Sequence, residues 1–183
     1  MSKFWIFFLF ATGSVMAQNK LEREYRVKTE QVPLQALNCI HKLNLQGNIK
    51  WYFEEGLNGV SYEAKTKHHK QYYSVEFDTL GKLLDVEILM HPSQIPAQIL
   101  QKIVFDLNQR FKKYKIDRTQ VQYTGTVEAV LQLISQNQNQ DLTTKYELVV
   151  KANRKLFEIL FSDKGDFEQI AEIIPKNSFH LEF

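Results

Sequence analysis

The chain has 183 residues, with 23 Lys+Arg against 21 Asp+Glu, 13% aromatic residues and a single cysteine. That aromatic and aliphatic content belongs to a chain with a packed core rather than a disordered one. The near-balance of charge excludes the strong basic excess of a dedicated nucleic-acid binder. One cysteine excludes an intrachain disulfide, and no Cys/His framework for a structural zinc is present.

Lys3 precedes an intensely apolar run over residues 4–11, which Gly13 and Ser14 break, and Val15-Met16-Ala17 ends on small residues. Charge, apolar core and cleavage site together predict a secretory signal peptide over residues 1–17, cleaved near Ala17, and a secreted or periplasmic destination. The run is too short for a bilayer, which needs roughly 20 residues, and no later run is long enough to span one. A lipoprotein would need a cysteine at the cleavage point, and Cys39 lies well inside the chain.

Residues 21–28 alternate charge with Tyr25 and Val27, as in an exposed or edge strand. Pro33 then opens a helix whose stripe is Leu34, Leu37, Ile40 and Leu43, stopped by Gly47 and Asn48. Four period-2 strands follow: Ile49, Trp51 and Phe53 set the first, residues 62–66 the second, Tyr73, Val75 and Phe77 the third, and Leu84, Val86, Ile88 and Met90 the fourth. Turns at residues 56–59, 67–70 and 78–81 separate them. His91-Pro92 breaks the sheet, and Ser93 is placed as the cap of a helix bearing Ile99, Ile103, Leu107 and Phe111, with Pro96 in its first turn. Strands are expected over residues 116–123, 146–152, 156–161 and 167–174.

The second half restates the first. Tyr62-Glu63 and Tyr146-Glu147, Val75 and Ile159, Phe77 and Phe161, and Gly81 and Gly165 are all separated by 84 residues. Each pair keeps the same alternation of core-facing residues and the same turn glycine, and an internal repeat outranks local readings in deciding architecture. The expected fold is α+β: a tandem repeat of one helix plus four antiparallel strands, forming one curved sheet with helices on one face. The first repeat would occupy residues 18–91 and the second 92–183. An insertion at residues 126–141 reads as a short helix (Val127, Val130, Leu131, Ile134) and a polar loop.

The strings that carry this pattern are Trp51-Tyr52, Tyr62-Glu63-Ala64-Lys65, residues 73–83, and residues 146–150. With the signal peptide, they resemble the PepSY-like or beta-lactamase-inhibitor-protein-like secreted proteins of Bacteroidetes. The resemblance implies a tandem helix-plus-four-strand fold with a curved sheet, in the periplasm or outside the cell, and it implies no catalytic residues.

No candidate for chemistry stands up among the residues themselves. His68-His69 lies in a turn between Lys67 and Lys70, which repel a cation, so a solvated turn is expected there rather than a metal site. His41, His91 and His180 stand apart. Residues 163–166 form a hairpin turn without the distal Glu of a calcium loop, and Glu54-Glu55 reads as a solvated pair. Cys39, among Leu37, Ile40 and Leu43, reads as a packing residue with no His/Asn partner to activate it. No nucleophile-elbow, zincin, Walker or dinucleotide motif occurs. No enzyme, cofactor or metal is therefore expected.

The face turned from the helices is more informative. Alternation places Lys50, Tyr52, Glu54, Glu63, Lys65, Tyr72, Ser74, Glu76, Leu83, Asp85, Glu87 and Leu89 there, followed by Lys145, Glu147, Val149, Glu158 and Leu160. Tyrosine and leucine mixed with both charge signs suits protein recognition, though cross-strand Lys/Glu and Tyr pairs also stabilise a plain exposed face. The residues selected for contact with a protein or peptide are Lys50, Tyr52, Glu63, Lys65, Tyr72, Glu76, Lys145 and Glu147. The expected function is a secreted, non-enzymatic binding module. The alternatives are a carrier holding an apolar small molecule, including an envelope-stress carrier, and a hydrolase.

Overall fold

The computed structural model describes residues 18–20, 23–56 and 59–174; the expected signal peptide lies outside the described residues. The elements are β1 (Gln18–Lys20), β2 (Arg23–Val27), α1 (Leu34–Leu43), β3 (Lys50–Gly56), β4 (Gly59–His68), β5 (Gln71–Phe77), β6 (Leu83–Leu89), α2 (Ala97–Arg110), β7 (Tyr114–Thr124), α3 (Val127–Gln136), β8 (Thr143–Ala152), β9 (Lys155–Ser162) and β10 (Phe167–Ile173). Nine strands, β2 to β10, make one antiparallel sheet in the order β10-β9-β8-β7-β6-β5-β4-β3-β2, and the short β1 joins β10 in parallel. The protein is α+β. Among the described residues no helix is long and apolar enough to cross a membrane.

In α1 the buried residues are Ala36, Cys39, Ile40 and Leu43. These are positions i, i+3, i+4 and i+7, the face that 3.6 residues per turn creates. Leu34, expected at the head of the stripe, is 71% exposed. At 3.6 residues per turn, steps of three drift by about 60° each, so Leu34 lies on the side of the helix opposite Leu43. Ser93 does not cap α2. It lies in a 3-10 turn, Pro92–Gln94, and the cap is Pro96, φ −51°. A proline ring fixes φ at its own position and pushes the preceding residue toward extended backbone, so the helix starts after Pro96. The helix expected in the insertion is α3, and the Thr126 hydroxyl caps it by accepting the Ala129 N–H at 3.2 Å.

Buried residues of all three helices join alternate strand residues in one core. Phe77, Phe161, Leu43, Ile103, Leu107, Leu148 and Ile159 are its largest fully buried side chains. Trp51 packs on Phe77 with ring centroids 5.8 Å apart, and Phe111 on Phe157 at 5.3 Å. Strict alternation put Leu83 on the opposite face, but it packs against the core. The β5–β6 register slips beyond Glu76: Glu76 pairs with Asp85, while Phe77 pairs with Leu83. The extra residue, Leu84, is exposed. A bulge of this kind reverses the side-chain parity on one side of itself.

Cross-strand pairs recur at the 84-residue separation. Glu63 pairs with Glu76, Lys65 with Ser74 and His68 with Gln71; Glu147 pairs with Leu160, Val149 with Glu158 and Ala152 with Lys155. His69 and Lys70 turn the first hairpin with φ of 47° and 71°, and Asn153 and Arg154 turn the second with 51° and 63°. The next turns also correspond. Asp78 Oδ1 accepts the Leu80 and Lys82 N–H groups at 2.9 and 2.8 Å, and Ser162 Oγ accepts those of Lys164 and Asp166 at 3.2 and 3.1 Å. Gly81 (φ 84°) and Gly165 (φ 75°) occupy the left-handed region in these turns and lie against Ala36 of α1 and Ile99 of α2.

Candidate functional site

The side of the sheet away from the helices carries the residues that sequence alternation selected, Leu83 excepted. Lys50, Tyr52, Glu63, Lys65 and Glu76 are brought together on β3, β4 and β5: Lys50 pairs with Lys65, Tyr52 with Glu63, and Glu63 with Glu76. Tyr72 stands near the start of β5, with Lys67 Nζ 4.9 Å from its ring centroid. Lys145 and Glu147 lie on β8, three strands from Glu76, about 14 Å at the usual strand spacing. Lys145 Nζ is 2.7 Å from Glu168 Oε2.

Several of these residues are interior rather than solvated. Glu63 is 8% exposed and Glu147 7%. Glu63 accepts from Ser74 Oγ. Lys65 Nζ lies 3.0 Å from Glu63 Oε2 and 3.1 Å from Glu24 Oε1, and 4.9 Å from the centroid of the Tyr52 ring. Burial works against the Glu63 charge, but the Lys65 ammonium and the hydrogen bonds from its neighbours outweigh it and hold the carboxyl below its ordinary range. Burial likewise opposes the Lys65 charge, and Glu63 and Glu24 more than reverse that, so the ammonium titrates above its ordinary value. Burial pushes the Tyr52 phenol up, with Glu24 adding to the effect.

Glu24, Glu54 and Glu63 place one carboxylate oxygen each within 4.8 Å of one another, a spacing that could hold a metal ion. Lys65 supplies the cation for this group from within the chain. Glu24 was missed in the sequence because an alternating edge strand reads as solvated; its pairing with Glu54 puts it on this face and buries it.

A second acidic concavity lies further across the face. Glu76, Glu87, Gln122, Glu147, Glu158 and Leu160, together with Gln169, line a pocket of about 190 Å³. Beside it on β7, Gln120 is 2% exposed. It pairs with Glu147 and donates through Nε2 to Glu87, while its Oε1 has no donor among the described residues. Gln120 and Gln122 were also missed, although their alternation with Thr119, Val121 and Tyr123 was the signal that could have placed them here.

His68 departs from its expected place. It is buried, and its Nδ1 accepts the Gln46 N–H at 2.9 Å. Only His69 and Lys70 form the turn, so His68 clamps the loop after α1 to the end of β4. Cys39 is buried in the helix core, and that burial pushes its thiol up to about 11, far from a reactive thiolate. A larger cleft of about 630 Å³ opens where β7 runs past the end of β6, between Tyr72, Leu89, Met90, Ile116, Arg118 and Thr119.

The fold is a sheet with helices on one side and a mixed-charge face on the other. Two solved structures resemble it. One is a DUF2874 family protein from Bacteroides ovatus ATCC 8483, with TM-score 0.56 and 10% identity over 77% of this chain and 87% of that one. The other is a BLIP-like protein from Bacteroides fragilis NCTC 9343, with TM-score 0.53 and 17% identity over 81% of this chain and 92% of that one. At these identities the likeness is one of fold. It matches the BLIP-like resemblance read from the sequence, and a link to PepSY-like proteins is not shown by these two structures. No family model matches the chain, and no curated protein matches it.

Proposed function

We propose that the protein is an exported, non-enzymatic binding module that recognises a protein or peptide on the sheet face opposite its helices. We also propose that its two halves are tandem copies of one helix-plus-four-strand unit on a curved sheet. The observation that carries the binding reading is the composition of that face: Tyr52 and Tyr72 stand among charges of both signs, while all three helices pack on the other side. Aromatic groups set in a polar, partly desolvated surface are the usual anchors of protein recognition. The likeness of fold to a BLIP-like protein supports the same reading. The tandem reading is supported by the hairpin registers and turns that recur 84 residues apart. Export is supported by the sequence pattern of residues 1–17.

The test begins with a partner captured on the immobilised protein, identified and purified, so that its affinity can be measured. Tyr52→Ala with Tyr72→Ala should weaken that affinity by about tenfold or more while the secondary structure and cooperative unfolding persist. Unchanged affinity would remove this face from the interaction. A second reading, a carrier of an apolar small molecule, is favoured by the 630 Å³ cleft with Leu89, Met90 and Ile116 in its wall. A co-purified molecule seen by native mass spectrometry and lost on Leu89→Lys would select it instead.

A further inference from the structure

The two halves of the sheet separate at one end. β7 pairs with β8 along its whole length, Tyr114 to Thr124, but β6 reaches only as far as Gln120, with one further bond from the Met90 N–H to the Thr119 carbonyl at 3.0 Å. Pro92, which has no N–H to give a ladder, then carries the chain out of the sheet into its 3-10 turn. Residues 114–118 of β7, about 17 Å of strand, therefore have no strand beside them on that side among the described residues. Alternate main-chain groups along such an edge point outward without a ladder partner. The cleft of about 630 Å³ lies along this edge, and Lys70, Gln71 and Tyr72 of the β4–β5 hairpin line it too. Thr119, where the β6 ladder stops, is also in its wall; it is 2% exposed, and its hydroxyl has no partner among the described residues.

The charges around this edge are mostly of one sign. Lys115 pairs directly with Lys151 across β7 and β8, a like-charge pair that costs stability in a sheet. Lys115 has Asp117 at 3.6 Å, whereas Lys70, Lys112, Lys113 and Lys151 have no carboxylate partner among the described residues. Met90 and Ile116 pack against the core on the other side of the strand. We propose that the cleft takes an extended segment of a partner protein, with acidic and apolar residues in alternation, lying along residues 114–118 in the row that β6 vacates. Main-chain hydrogen bonds to β7 hold such a segment. Its apolar residues meet Met90 and Ile116, and its carboxylates meet the lysines on the opposite face. The bulge at Asp117 and the lysines keep two such edges from pairing with each other, so an acidic strand fits better than a second copy of this chain. The inference goes beyond the binding reading above, since it concerns a main-chain edge and not the tyrosine-bearing face, and it gives the cleft a different occupant from an apolar small molecule.

The test titrates the purified protein at low salt with acetyl-Glu-Val-Glu-Val-Glu-Val-amide and follows hydrogen exchange of the protein's amides. The peptide should bind saturably, slow exchange over residues 114–118, and weaken as salt rises. The same peptide with glutamine for glutamate should bind at least about tenfold more weakly. A version N-methylated throughout, which keeps its charge and loses its donors, should not bind. Lys70→Glu with Lys151→Glu, both exposed, should reduce binding about tenfold with the fold intact. Equal binding of the glutamine peptide, retained binding of the N-methylated one, protection confined to other strands, or no saturable binding would overturn the proposal. So would self-association that protects residues 114–118 without peptide, or a co-purified apolar molecule that the peptide does not displace. Tyr52→Ala, at a residue that does not line the cleft, should leave peptide binding unchanged. Failure of the peptide with continued loss of the partner in the double tyrosine variant would discard only the strand site. Peptide binding with no effect of the tyrosines on the partner would discard only the proposed role of the tyrosines.

Discussion

The β4–β5 and β8–β9 hairpins share register and turn conformation but fill one face differently. Where the first has Glu63, Lys65, Ser74 and Glu76, the second has Glu147, Val149, Glu158 and Leu160. Toward the helices they agree: Val75 and Phe77 correspond to Ile159 and Phe161, all fully buried. The core face must fill a fixed volume at interior packing density, which leaves little room for change. The open face has no such volume constraint, so the first hairpin takes part in an ion cluster within the chain while the second lines a pocket.

The sharpest way to break this contrast is Lys65→Met. It leaves the buried Glu63 and Glu24 carboxylates without their ammonium and should cost about 3–5 kcal/mol in urea unfolding. A loss below about 1 kcal/mol would mean that the cluster does not hold the first half together. The turn glycines come next. A Cβ at Gly81 would lie 2.6 Å from the Ala36 backbone nitrogen, and one at Gly165 3.0 Å from the Ile99 carbonyl oxygen. Both positions also have positive φ, so Gly81→Ala should cost about 2–3 kcal/mol and Gly165→Ala about 1–2; the reverse order in thermal unfolding would contradict the closer helix contact in the first half.

The turn acceptors should differ less. Asp78→Ala removes a charged acceptor of two N–H groups and should cost about 1–2 kcal/mol, against about 0.5–1 for the neutral Ser162→Ala. Chemical denaturation of both variants measures the difference. The smallest effect concerns His68, whose counterpart in the second hairpin is Ala152. Burial, with His69 adding to it, lowers the His68 pKa in the folded protein. The unfolded state therefore binds the proton more readily. The His68 contribution is complete above an unfolded value of about 6.5 and declines as pH falls below it. Stability measured from pH 7.5 to 5 should fall less steeply in His68→Ala than in the parent chain.

Much of the fold was legible because period-2 alternation and turn glycines are local signals. Trp51, Tyr73, Val75 and Phe77 were placed on the core side by spacing alone, and Lys50, Tyr52 and Glu63 on the other. Leu83 was misplaced because a bulge reverses parity with no sequence mark. Leu34 was misplaced because steps of three residues drift around a helix of 3.6 residues per turn. Ser93 was misplaced because its capping preference yielded to the proline that follows. The acidic clusters were less legible still. Glu24 and Glu63 are separated by 39 positions in the chain, and only their alignment through β3 brings them to one lysine.

The sequence by itself determined which residues alternate, where the chain turns and which residues recur 84 positions apart, because these follow from backbone geometry over a few residues at a time. The tertiary structure decided which carboxylates meet, which one holds a lysine and where a pocket remains. Those outcomes depend on the lateral order of strands distant in the chain and on the loss of solvent between them, and neither is written in any local pattern.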